Sequence, residues 1–92
     1  MEQKTMKVFS ETSNYGVVRM PGRSFPGVVV QGDSLAILCR LARSVKQRVA
    51  LAKDSELVDD ASELIELLED RLRHYEEVLA EHGIKLPYTK LG

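Results

Sequence analysis

Four side chains able to ligate a hard cation, Glu66, Asp70, His74 and Glu77, fall at i, i+4, i+8 and i+11, close to one stripe of any helix that carries them. One straight helix cannot wrap four ligands around an ion, and the helical segment before it supplies no others. The spacing therefore predicts a solvated acidic face, paired in part through Glu69 with Arg73 and Arg73 with Glu77, and no metal site. His74 and His82 have no partner placed by the sequence to orient them as acid or base. Cys39 lies four residues after Leu35 and three before Ala42, at the border of an apolar stripe. That position suits a small buried or half-buried hydrophobe, and no neighbouring base is indicated that would make the thiol a nucleophile. These residues predict neither an enzyme nor a cofactor.

The segment Gly22-Arg23-Ser24-Phe25-Pro26-Gly27 resembles two chemical loops and fails both. A nucleophile elbow needs Gly at the fifth position of Gly-x-Ser-x-Gly, where Pro26 stands. A phosphate loop needs Lys and Ser or Thr after its second glycine, where Val28 and Val29 continue as a strand. Two readings remain open for this loop. It is either a rigid hairpin connection whose Arg19 and Arg23 pair with acidic groups elsewhere, or an anion contact made by Arg19, Gly22, Arg23 and Gly27.

The elements that position these groups differ sharply in charge. From Leu35 to Lys53 the charged residues are Arg40, Arg43, Lys46, Arg48 and Lys53, all positive. From Glu56 to His82 ten acids face only Arg71 and Arg73. In the first segment Leu35, Leu38, Leu41, Ala42, Val45, Val49 and Ala52 recur at steps of three and four, and in the second Leu57, Ala61, Leu64, Leu68, Leu72, Tyr75 and Leu79 do so. Both are amphipathic helices, expected over about 34–52 and 55–82. Asp33 or Ser34 is the expected cap of the first, Asp54 or Ser55 of the second, and Gly83 the stop. Before them, Lys7 to Phe9, Tyr15 to Met20 and Val28 to Val30 read as short strands, the last apolar on both faces and so expected to be covered on each side. The tail from Ile84 could lie back over the core through Ile84, Leu86 and Tyr88. The predicted fold is α+β: a short antiparallel β-hairpin or three-stranded meander packed on a two-helix antiparallel hairpin, as a single domain over 1–92.

The chain has 92 residues, 43% hydrophobic and 29% charged, with a net charge of −1. That balance argues against a basic nucleic-acid binder, and at this length only a modest core can be buried. The basic stripe Arg40, Arg43 and Lys46 could meet phosphates, but an acidic neighbour neutralises it and would repel a polyanion. A lone cysteine excludes an internal disulfide and suits a reducing interior. Without a long apolar run or a hydrophobic signal region in Met1 to Lys7, the expected location is cytoplasmic.

The run Phe25 to Leu35, FPGVVVQGDSL, resembles the strand, glycine turn and capped helix of HicB-type antitoxins, through Pro26-Gly27 and then Gln31-Gly32-Asp33-Ser34. The resemblance implies a small sheet with a helix that occludes a toxin which cleaves RNA. It covers about a quarter of the chain. The Glu-Ala pair usual after the capped start is replaced by Ile37-Leu38, and the strand expected after the first helix and a C-terminal DNA-binding domain are absent. As a whole the chain is similar to small bacterial proteins whose likeness implies no activity.

The expected function is non-enzymatic: capture and neutralisation or regulation of a basic protein partner through Asp59, Glu63, Glu66 and Asp70. The alternative is sequestration of a phosphate-bearing small ligand such as a nucleotide by the Pro21 to Gly27 loop. A second helix of roughly 40 Å overhangs a domain whose radius of gyration should be near 12 Å. Leu72, Tyr75, Val78 and Leu79 then need the tail, the sheet or another subunit to cover them, and of these a homodimer through the second helix is the favoured expectation.

Overall fold

The computed structural model describes residues 2–11 and 16–90. Its elements are β1 (Lys7–Ser10), β2 (Val17–Arg19), β3 (Gly27–Val28), α1 (Gly32–Val49), a single 3₁₀ turn (Ala50–Ala52) and α2 (Ser55–Glu81). The strands form an antiparallel meander in the order β1-β2-β3, so the fold is α+β with the three-stranded form of the sheet. The strand start expected at Tyr15 lies outside the described residues.

β1 pairs Lys7 with Arg19 and Val8 with Val18, then Ser10 with Val17, which leaves Phe9 as a bulge. β2 continues onto β3 through Val17 with Val28 and Val18 with Gly27. Between them Met20-Pro21-Gly22-Arg23 makes a tight turn, in which the Arg23 amide donates to the Met20 carbonyl at 3.1 Å. Pro21 presets the first turn position, and Gly22 takes φ +78° at the second, as a type II turn requires.

Val28, Val29 and Val30 are not covered on both sides, contrary to expectation. Only Val28 belongs to a strand, and it is 61% exposed. No residue of the three strands is buried. The buried residues lie on the helices, where Leu35, Ala36 and Cys39 of α1 meet Leu72 of α2 under Leu68, Tyr75 and Tyr88. Ala42 and Ile65 extend this contact toward the interhelix turn. The sheet reaches the helices where Val29 and Val30 line a hollow with Tyr75 and Pro87.

α1 starts at Gly32, earlier than expected, because Gln31 is its cap residue in extended backbone. Neither Asp33 nor Ser34 caps it; Asp33 Oδ1 accepts from the adjacent Ser34 amide at 2.9 Å. Gly32 is needed for close approach: a Cβ there would stand 2.2 Å from the Tyr75 ring. After the 3₁₀ turn Lys53 reverses the chain in the left-handed region at φ 57°. Asp54 then caps α2, accepting from the Leu57 amide at 3.1 Å, one of the two caps the sequence allowed.

α2 ends in a Schellman motif. The Ile84 amide donates to the Leu79 carbonyl and the Gly83 amide to that of Ala80, with Gly83 at φ +66°. This turn sends the tail back so that Leu86 and Tyr88 become half-buried, while Ile84 stays exposed. The Tyr88 hydroxyl donates to Glu76 Oε2 at 2.9 Å. The radius of gyration is 16.0 Å, against about 12 Å for a compact chain of this length. The molecule measures 49 × 31 × 22 Å, drawn out along α2.

Candidate functional site

Asp59, Glu63, Glu66 and Asp70 stand at i, i+4, i+7 and i+11 of α2, so the helix repeat puts them on one side. All four are exposed. Only Asp70 has a cation, accepting from Arg73 Nη2 at 2.6 Å. The expected pairs of Arg73 with Glu69 and Glu77 are not formed. Glu69 instead bridges the helices, accepting from Arg43 Nε at 2.5 Å. That contact and its charge raise the Arg43 pKa above its ordinary value. Among the described residues it is the one salt bridge between the basic and the acidic helix, so the neutralisation expected across the hairpin is local to Arg43.

The loop expected as an anion contact is organised as a turn. The Arg23 amide already serves the Met20 carbonyl, Arg23 and Gly27 are exposed, and Arg19 pairs with Lys7 across the sheet. A shallow hollow of about 410 Å³ lies instead on the helices, lined by Arg43, Arg73 and Lys90 together with Glu69, Glu76 and Glu77. Three cations against three carboxylates give it no net sign with which to select an anion or a cation. Among the described residues no three of His, Cys, Asp and Glu converge as metal ligands, and no helix is long and apolar enough to cross a membrane.

Cys39 is fully buried in the core cluster, as a small hydrophobe at that position was expected to be. Burial, followed by the charge of Glu69, pushes its thiol pKa up and keeps it protonated at neutral pH. The Tyr88 hydroxyl is likewise pushed up, first by burial and then by its hydrogen bond to Glu76.

Of the four residues expected to need cover, Leu72 is 4% exposed, and Tyr75, Val78 and Leu79 are half-buried. The returning tail supplies much of that cover. An apolar groove stays open at the other end of the hairpin. There Ala42, Val45 and Val49 of α1 face Leu57, Ala61 and Leu64 of α2 across a groove of about 260 Å³, with Asp60 its one charged wall. Val45 and Leu64 are each 54% exposed, and Leu38 and Leu41 continue the same stripe outward on α1. One signal in the sequence could have located it. Leu35, Ala36, Leu38, Cys39, Leu41, Ala42 and Val45 span too wide an arc of α1 for a single antiparallel helix to cover.

No curated protein and no solved structure matches the chain. A family model of unknown function, DUF6959, matches residues 1–88, nearly the whole length, and the chain belongs to that family.

Proposed function

We propose that this chain is a non-enzymatic binding module which captures a basic protein partner on the outer side of α2, in the manner of an antitoxin or immunity protein. One observation supports this most: Asp59, Glu63 and Glu66 form an exposed row, and among the described residues none of the three is in a salt bridge. Such a row is unfavourable to the lone protein through self-repulsion and becomes favourable when a partner supplies the missing charge. It also speeds the encounter with that partner more than it deepens the final affinity.

Immobilised chain tests the reading against a triple variant, Asp59→Lys, Glu63→Lys and Glu66→Lys, in extract of the source cell. A basic protein retained at low salt should elute as salt rises, since exposed pairs are screened within about 10 Å at 0.1 M. The triple variant should not retain it. Equal retention by both proteins would end the proposal.

A further inference from the structure

We infer that the apolar side of the helical hairpin is occupied by the same side of a second copy of this chain, with α1 of each protomer lying on α2 of the other. The first argument is area. A monomeric protein of 10.3 kDa should expose about 5,400 Å². This chain exposes 7584 Å², an excess of about 2,200 Å². Obligate homodimers bury about 1,000–2,500 Å² per protomer. The sheet, with Phe9, Phe25 and Val28 exposed, accounts for part of this excess, and the rest, on the open side of the hairpin, is within reach of what a tightly associated dimer removes.

The second argument is shape. The groove has the small residues Ala42 and Ala61 among its walls, and Leu38 and Leu41 stand beside it as projecting side chains, Leu41 at 58% exposure. Hole and knob lie on the same face, which a two-fold pairing requires, because each protomer must offer both. Two hairpins joined this way make a four-helix bundle, the usual way for such faces to be buried.

The third argument, charge, selects the arrangement. Two hairpins can meet face to face in two ways. A two-fold axis across the helices would lay α2 on α2, placing two strongly acidic helices together. An axis along the hairpin lays α1 on α2 at both contacts, with the interhelix turns at one end. Only the second matches a helix whose charges are all basic after Asp33 to one that carries ten acids. It also brings Arg48, in the last turn of α1, level with Asp60, which walls the groove early in α2. The row Asp59, Glu63 and Glu66 faces away from this contact, so the dimer stands or falls independently of partner capture.

Light scattering and sedimentation of the full chain over a concentration series should give twice 10.3 kDa. Leu64→Glu should raise the dimer dissociation constant about a hundredfold or more. Should that variant fail to fold, two exposed charge reversals decide the matter. Arg48→Glu and Asp60→Arg should each weaken the homodimer about tenfold, and their mixture should restore a heterodimer, detected by a mass tag on one of them. A wild-type monomer at millimolar concentration overturns the inference. So does a dimer that survives Leu64→Glu in a folded chain, or a mixture of the two reversals that shows no preference for pairing.

Discussion

The two ends of the helical hairpin are built from the same apolar periodicity and have different fates. At the end where α1 begins and α2 finishes, Leu35, Ala36, Cys39 and Leu72 are buried under Tyr75 and Tyr88. At the end beside the interhelix turn, Val45, Leu57 and Leu64 stay open to solvent across a groove. The pattern of leucines does not explain the difference. A third layer does: the Schellman turn at Gly83 returns the tail over one end only. An apolar stripe specifies that a helix will pack, and the chain's other segments decide how much of the stripe a single copy can cover.

The comparison is broken most severely from the closed end. Leu72→Ala should lower unfolding free energy by about 3 kcal/mol in urea titration, since a buried leucine leaves both a lost transfer term and a cavity. Next is Gly32→Ala, which forces the Tyr75 ring away from α1. A loss of about 2 kcal/mol is expected, with a changed near-ultraviolet tyrosine signal marking the moved ring.

Tyr88→Phe tests the latch itself. Removing its hydroxyl should lower stability by about 1 kcal/mol at neutral pH. Its proton is held more tightly in the folded chain than at the ordinary value of 10.0. The stabilisation is therefore fully present below about pH 10 and declines as pH rises toward the folded-state value. Unfolding curves taken on either side of pH 10 should show that decline in the wild type and a reduced one in Tyr88→Phe.

The smallest effect belongs to the open end. Leu51 on the 3₁₀ turn is 81% exposed, and Leu51→Ser should change monomer stability by less than about 0.5 kcal/mol. A large loss there, measured in dilute protein, would show that the open end is better covered than its geometry indicates. Cys39 sharpens the contrast without any substitution. Its protonated, enclosed thiol should react with a maleimide only as fast as the closed end opens.

Much of this architecture was legible in the residues. The two helices, the Asp54 cap and the Gly83 stop follow from spacing and capping chemistry. The start of α1 was misplaced because Asp33 and Ser34 are good cap residues, while the close approach of Tyr75 to Gly32 depends on a contact remote in sequence. Three consecutive valines usually mean burial, so Val28 to Val30 predict a covered strand. Here the run meets the helices only across the hollow beside Tyr75 and Pro87, so the same residues stay exposed. Asp59, Glu63, Glu66 and Asp70 were legible as one row, since a helix repeat alone fixes it. Which of the four would find a cation was not, because Arg73 has Glu69, Asp70 and Glu77 all within reach on its own helix, and its choice of Asp70 follows once Glu69 is taken by Arg43 across the hairpin.

The reversal at Lys53 and Asp54 has a kinetic corollary. Contacts beside it join residues close in sequence and need only a short loop to close, whereas Leu35 with Leu72, and Gly32 with Tyr75, demand that nearly the full hairpin be in place. The helices should thus zip from the end that is least protected once formed. Transition-state φ-values higher at Ala61 than at Leu72 would be the signature of a chain that begins folding where it finishes weakest.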